Sequence, residues 1–467
     1  MNEIGNDEVV SALQVIIEQF GDHIEPHAIA LISQLSGAFS QYCSAGEDDD
    51  DAAMAAAQCL DCISTVLKGI CDRPELYRGL EPKLVPICKQ ILGNEGDFIE
   101  YLEHALDIMT FLTFFQEDIS PALWELFPMI YIAFDQWAFD YLNLMVPALE
   151  NYIGKAPQHF VTGKVLMPGG GEVSYIDLIF SIVQKTVVEE RSSENEMRKA
   201  LSLYMTILHS CRGLVDNYVP AMNNLILAKL GEQMDMELPL TRISIFQVIG
   251  SALHYNPALQ LQELESRQLT QNVFTQWFKD TEKMEKWLPR KLTVIGLSSI
   301  LQMPTVSLPA SISSALPQII TATSAMVEKM EEEAKVKPEE GEDVHVDDGD
   351  FCDSDDDLDG FAEDEDVKSE SEEAYLSALK NLGDHNDVAR FLIGDDWLDE
   401  DDDEDEYSSP IDDVDQMDFF SDTMKAAFDR EPQVYQQVQA MLSPEVVATC
   451  QRLFSATDAK RQGAQPS

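Results

Sequence analysis

The sequence predicts an all-α protein: a solenoid of stacked helix pairs over residues 1–335, an acidic and largely disordered segment over 336–415, short helices over 416–458 and a flexible tail over 459–467. Three observations carry that prediction. Apolar residues recur at helical spacing from Glu8 to about Glu333, with little strand-like alternation. A helix-start signal repeats along that stretch. After Glu333 the apolar pattern gives way to a dense run of acids.

The periodicity is explicit in several places. Ile99, Leu102, Leu106 and Met109 share one helical face, as do Leu201, Tyr204, Leu208 and Cys211, and Ile243, Phe246, Gly250 and Leu253. Amphipathic helices of this kind each need a neighbour to cover the apolar stripe. The start signal is an apolar residue, then proline, then an apolar helical run. It occurs at Val85-Pro86, Phe127-Pro128, Val146-Pro147, Val219-Pro220 and Leu316-Pro317. Proline suits the first helical position, where its missing N–H has no partner to lose. Pro86 and Pro128 are 42 residues apart and Pro147 and Pro220 are 73 apart, while Pro128 and Pro147 are only 19 apart. The irregular period favours HEAT-like pairs of about 40–47 residues over the tighter ankyrin and tetratricopeptide arrays. A compact helical bundle is the alternative architecture. The segment 156–171, ending in Pro168-Gly169-Gly170-Gly171, reads as a flexible loop between repeats.

Composition narrows the function classes. The 467 residues are 45% hydrophobic, enough for a large buried core, and the formal net charge is -54. Such a surface repels nucleic acid and anionic membranes and attracts basic proteins. Between Val336 and Lys425 stand 36 acidic and five basic residues, so -31 of the charge lies there. At that density the chain buries too little apolar surface to offset its conformational entropy, which predicts disorder. Within it, Ala374–Leu382 reads as a transient helix. Order returns where Phe419, Phe420, Met424, Phe428, Val434, Val438 and Leu442 take helical spacing, and Ser443-Pro444 starts another helix. The first ten residues carry no basic-then-apolar signal pattern, and apolar runs such as Ala105–Phe115 are shorter than the ~18 residues of a membrane span.

The candidate chemical motifs are each incomplete. Eight scattered cysteines suit reduced thiols, and Cys59 and Cys62 share a helix face with Val66 and Ile70, which reads as core packing. Gly163-Lys164 is followed by Val165, not by the Ser or Thr of a phosphate loop. The eight histidines form no metal-protease arrangement, so no cofactor and no catalytic residue is expected. Asp355, Asp357, Asp359 and Gly360, with Glu363, imitate a calcium loop, but Asp366 replaces its bidentate Glu and Ala362 holds the eighth place. The strongest candidate for recognition is the acidic tract itself: Asp353, Asp355, Asp356, Asp357 and Asp359, then Asp399, Glu400, Asp401, Asp402, Asp403, Glu404, Asp405 and Glu406. Ser354, Ser369 and Ser371 lie in a context acidophilic kinases favour, and Ser409-Pro410 suits a proline-directed one. Trp124, Tyr131, Phe134, Trp137 and Phe139 are candidates for lining a groove, with helical core as the default reading.

Several stretches together resemble a known family. Ile119-Ser120-Pro121-Ala122-Leu123-Trp124-Glu125-Leu126, Phe139-Asp140-Tyr141, Met145-Val146-Pro147-Ala148-Leu149-Glu150-Asn151-Tyr152, Ala252-Leu253-His254-Tyr255-Asn256-Pro257 and Gln276-Trp277-Phe278 fall in order along the chain. They are followed by Asp395-Asp396-Trp397, Ser408-Ser409-Pro410-Ile411-Asp412 and Asp418-Phe419-Phe420. This series resembles the C-terminal part of importin-β-family nuclear transport receptors of the importin seven/eight type. The resemblance implies a HEAT solenoid that carries cargo such as ribosomal proteins or histones from cytoplasm to nucleus through the nuclear pore. It also implies release by the Ran GTPase and contact with Phe-Gly nucleoporins. Members of the family are about twice this length, and the repeats that carry their main Ran-binding surface have no counterpart here, which suggests a fragment or truncated form. The alternative reading is an acidic helical-repeat scaffold or chaperone for basic proteins without transport.

Overall fold

The computed structural model describes residues 24–43, 50–71, 73–189, 191–234, 240–281, 283–336 and 409–463. The chain divides into two units, Met1–Glu332 with Glu406–Ser467, and Glu333–Asp405. The first unit holds the helical array.

Its helices are α1 (Ala28–Cys43), α2 (Asp50–Lys68), α3 (Pro74–Leu92), α4 (Leu102–Phe114), α5 (Pro121–Trp124), α6 (Phe127–Gln136), α7 (Leu142–Lys155), α8 (Pro157–Thr162), α9 (Tyr175–Val188) and α10 (Glu194–Ser210). Then come α11 (Val219–Gln233), α12 (Leu240–Tyr255), α13 (Pro257–Ser266), α14 (Thr270–Thr281), α15 (Trp287–Ile300), α16 (Ala310–Val336), α17 (Gln416–Arg430), α18 (Pro432–Met441) and α19 (Pro444–Gly463). They pack as two rows. In the first, α2, α4, α7, α10, α12, α15 and α17 touch in succession, and in the second α1, α3, α6, α9, α11 and α13 do. Second-row helices also pack on their first-row successors, as α9 does on α10. This is the predicted stack of helix pairs.

Several helix starts are capped by polar side chains. Ser193 and Glu196 form a reciprocal capping box on α10, and Ser120, Ser174, Asn256 and Asp415 accept backbone N–H groups at the starts of α5, α9, α13 and α17. Proline opens α3, α5, α6, α8, α11, α13 and α18 through Pro74, Pro121, Pro128, Pro157, Pro220, Pro257 and Pro432. Pro128 and Pro220 thus act as the sequence suggested. Pro86, Pro147 and Pro317 do not, because they lie inside α3, α7 and α16. An interior proline costs a helix about 3 kcal/mol, whereas each large apolar side chain buried contributes about 1.5–3 kcal/mol. With Val146, Leu149, Leu316, Ile319 and Ile320 all buried beside these prolines, packing outweighs the lost bond.

The loop at 156–171 also departs from expectation. It contains α8 and one strand of an antiparallel hairpin, β1 (Lys164–Leu166) with β2 (Glu172–Ser174), paired Val165 to Val173. Gly170, at φ +82°, supplies the left-handed residue of the turn, and Met167 and Gly171 close it. Alternation over three residues on each side is too short to stand out as strand. At the C-terminus α19 continues to Gly463, past the expected helix boundary at 458, and the described residues already include Ser409–Asp415, ahead of the expected 416.

The core is mostly as read. Leu102, Leu106, Met109, Leu201, Tyr204, Leu208, Cys211, Phe246 and Leu253 are buried, as are Cys59 and Cys62, whereas Ile99 sits exposed in a short 3₁₀ turn. The helices α12 and α15 cross closely. A Cβ on Gly296 would stand 2.5 Å from Gly250 Cα and 2.7 Å from its carbonyl oxygen. Beside it, Trp277 stacks on Phe246 with centroids 5.6 Å apart, and its Nε1–H donates to Thr293 Oγ1 at 3.3 Å. Next to this crossing lies a buried ion pair, Arg242 Nε to Asp280 Oδ2 at 2.7 Å, completed by the Gln233 carbonyl and the Gln276 amide. Two histidines sit on the same row. Burial, then the charges of His254 and Arg212, pushes His209 down to about 3, and burial with Arg212 pushes His254 down to about 3. His254 packs edge-on against Phe419 of α17.

The crossing and the histidines each set a stability outcome. Gly296→Ala forces two backbones apart and should cost about 1–3 kcal/mol or more. Gly231→Ala, in α11 with open space around it, should gain up to about 1 kcal/mol. Chemical denaturation reads both, and equal midpoint shifts would contradict the crossing. For the histidines, the unfolded chain binds protons near the ordinary 6.5 while the folded one excludes them down to about 3. Their contribution is therefore neutral above pH 6.5 and unfavourable below, by about 1.4 kcal/mol per pH unit per histidine as pH falls towards 3. His209→Leu should lose stability less steeply than the parent between pH 7 and 5. Parallel loss in both would contradict a neutral buried imidazole.

Candidate interaction site

The acidic tract leaves the chain at the end of α16 and returns at Ser409, so its geometry begins with how those two ends are held. Glu328 of α16 accepts from Thr449 Oγ1 at 3.2 Å and pairs with Arg452, both on α19. At the other end, Lys291 Nζ of α15 donates to the Asp412 carbonyl at 3.2 Å, and Ile411 is buried. Between them stands a clamp made by two adjacent residues. The Arg430 guanidinium donates to the carbonyls of Leu301, Gln302 and Met303 at 2.7–2.9 Å, where α15 ends and its macrodipole is negative. The Glu431 carboxylate accepts from the Thr305 hydroxyl at 2.7 Å and its amide at 3.0 Å. Those two donors, with Arg430, hold its carboxyl below the usual range.

The helices α17–α19 brace one another as well. Lys425 pairs with Asp458 at 2.6 Å, Lys460 with Asp415 at 2.6 Å and Arg461 with Asp422 at 2.8 Å. Such exposed pairs contribute little each, about 0–1 kcal/mol. Burial does more: Met417, Phe420, Met424, Ala427, Tyr435, Val438, Cys450 and Leu453 are all buried. Both ends of the tract are consequently fixed to one folded body, and 72 residues, 337–408, join them.

The proposed contact residues themselves, Asp353, Asp355, Asp356, Asp357, Asp359 and Asp399 through Glu406, lie outside the described residues. So do Ser354, Ser369, Ser371, the calcium-like loop and Ala374–Leu382. Ser409 falls within them and is half-buried. The aromatic candidates resolve towards core. Trp124, 9% exposed, packs among Phe127, Tyr152, His159 and Tyr175, and Phe134 and Phe139 are buried beneath Lys185 and Arg191. Tyr131 and Trp137 remain partly open, the Tyr131 hydroxyl lying 3.0 Å from Ser181 Oγ.

Sequence reasoning missed two features. One is the clamp, since Arg430-Glu431-Pro432 reads only as one helix ending and another starting. The other is a groove of about 1150 Å³ between α14 and α16, closed at one side by the start of α19. Phe274, Phe278, Ile312, Ala322, Met326 and Leu442 form its apolar wall. The small residues at Ala315, Ala322 and Ala325, spaced along one face of α16, were the available signal.

Comparison with known proteins places this architecture. A family profile described as "Importin-11-like, TPR repeats" matches residues 78–454. Successive first-row helices from α2 to α15 start 40 to 52 residues apart, which is longer than a tetratricopeptide unit of 34 and nearer the HEAT spacing. A probable importin-7 homolog of Dictyostelium discoideum is 25% identical over 480 aligned positions, covering 94% of this chain and 44% of that protein. Importin-8 of Homo sapiens is 24% identical, covering 100% and 44%. An importin beta-like SAD2 homolog of Arabidopsis thaliana is 29% identical, covering 69% and 31%. The chain spans less than half the length of these relatives. With stacked helix pairs among the described residues of the matched region, it belongs to the importin-β family and is of the importin-7/8 type.

Proposed function

We propose that this chain is the cargo-handling part of a nuclear import receptor, and that the acidic tract captures basic proteins for the helical array to hold. One observation supports this most: a segment of 31 acidic and four basic residues, 337–408, is attached at both ends to the repeat body of an importin-β-family chain. A long chain of that charge spreads an attractive field beyond the array and meets basic cargo at longer range than a fixed groove does. Histones and ribosomal proteins are the cargo class its charge suits. Release by Ran, contact with Phe-Gly nucleoporins and passage between cytoplasm and nucleus complete the reading by family. The work is binding, and no chemical step is assigned to any residue.

The electrostatic part makes a kinetic prediction. Exposed charges are screened over about 8 Å at physiological ionic strength, so the tract should act on encounter more than on residence. Stopped-flow binding of a core histone to the full chain is compared with a version in which Asp399 through Glu406 are changed to Asn and Gln. At low salt the altered chain should associate about ten-fold more slowly, the difference shrinking as salt rises, with dissociation little changed. Equal association rates at low salt would leave the tract a solubility device. Tight binding without import in permeabilised cells by the receptor carrying this region would favour a chaperone instead.

A further inference from the structure

Directly after the acidic tract the described chain begins with a tight turn over Ser409–Asp412. The Ser409 carbonyl accepts Asp412 N–H at 2.9 Å, with Pro410 at the second position that such turns favour. Ser409 N–H donates to Asp412 Oδ2 at 2.7 Å, and Ser409 Oγ accepts Ile411 N–H at 3.3 Å. These bonds seat Ile411, 3% exposed, in the core and set the Asp412 carbonyl against Lys291 Nζ. These bonds all pass through Ser409 or Asp412, and the overlapping bond from Val414 N–H to the Ile411 carbonyl, at 3.1 Å, builds on them. Ser409 is only half-buried and Pro410 is exposed.

We infer that Ser409 is a phosphoacceptor for a proline-directed protein kinase, and that its phosphate opens this turn. In the transfer, Ser409 Oγ attacks the γ-phosphorus of ATP. An Oγ–P bond forms as the bond from the γ-phosphorus to the bridging oxygen breaks, the hydroxyl proton passes to the kinase's base, and ADP leaves. The product carries about -1.5 to -2 charge at neutral pH. It stands on the oxygen that accepts Ile411 N–H, beside the Asp412 carboxylate that holds Ser409's own N–H. Asp413 and Asp415 follow in sequence, and Asp415 is already paired with Lys460. On the facing helix, Lys291 is engaged with the Asp412 carbonyl and lies 4.5 Å from the Trp287 ring centroid, and the neighbouring Arg290 donates its Nε–H to the Met284 carbonyl at 2.6 Å. Repulsion between the phosphate and Asp412 displaces that carboxylate, the Ser409–Asp412 bonds part, and Ile411 loses the turn that seats it. The site controls how firmly the acidic segment's return is pinned. It does not depend on what the segment binds.

The test uses the full chain, a purified proline-directed kinase with Mg-ATP, mass spectrometry and hydrogen exchange. Phosphate should be found on Ser409, and the amides of Ile411, Asp412 and Val414 should then exchange about ten-fold faster or more, while those in the middle of α17 change little. Ser409→Ala should take up no phosphate there. In Asp412→Asn the modification should occur but accelerate exchange much less, because the repelled charge is gone. Absence of phosphate on Ser409 would overturn the proposal, as would phosphorylation that leaves exchange unchanged or slows it. Undiminished acceleration in Asp412→Asn would overturn the repulsion that drives it.

Discussion

Each helix of the array carries an apolar stripe that only its neighbours cover, and the row α2, α4, α7, α10, α12, α15 and α17 meets that requirement without interruption. The row tolerates little spacing error. At the Gly250–Gly296 crossing two helix backbones meet with no side chain between them, and Phe246, Trp277 and Thr293 fill the space on one side. Buried polar groups then fix which neighbours pair. Glu150 of α7 accepts from Ser202 and Thr206 of α10 at 3.0 Å, and Asn223 of α11 exchanges amide bonds with Gln260 of α13. Arg242–Asp280 is of the same kind: desolvation makes such a pair a weak source of stability, but losing one partner strands a buried charge.

The same requirement explains the C-terminus. Without a further helix, α15 would present its far face to water, and α17 supplies the cover although 79 residues separate its start from the end of α16. Apolar burial gives most of the affinity, while Arg430 and Glu431 set the register by reading the backbone where α15 ends and the following turn begins. Charge-assisted bonds of this type contribute about 1.5–3 kcal/mol when buried and less where water reaches them, as it does around Arg430. The acidic segment is thereby an insertion between two packed helices and not a free tail.

Much of this was legible in the sequence because helical periodicity over long stretches is a strong signal. The stripe through Leu201, Tyr204 and Leu208 lies in the core as expected, and of the C-terminal apolar series Phe420, Met424 and Val438 are buried while Phe419, Phe428, Val434 and Leu442 are half-buried. Proline was the misleading sign. Val146-Pro147 and Leu316-Pro317 look like Phe127-Pro128, and only the burial of the surrounding stripe decides whether the helix restarts or continues. The hairpin at Lys164–Ser174 escaped notice because each strand has three residues. The clamp escaped because Arg430 and Glu431 bond to backbone more than 120 residues away in sequence, where no local pattern reaches. The acidic tract was plain from charge alone, but charge does not say that both its ends are fastened to one body.

That fastening is the central claim, and severing the segment tests it directly. A site-specific protease sequence placed between Gly383 and Asp384 allows the chain to be cut after folding, and size-exclusion chromatography then reports whether the pieces stay together. The account predicts co-elution, even at about 1 M salt where surface ion pairs are screened, because apolar burial holds α17–α19 to α15 and α16. Separation of the pieces on cleavage in physiological buffer would contradict it.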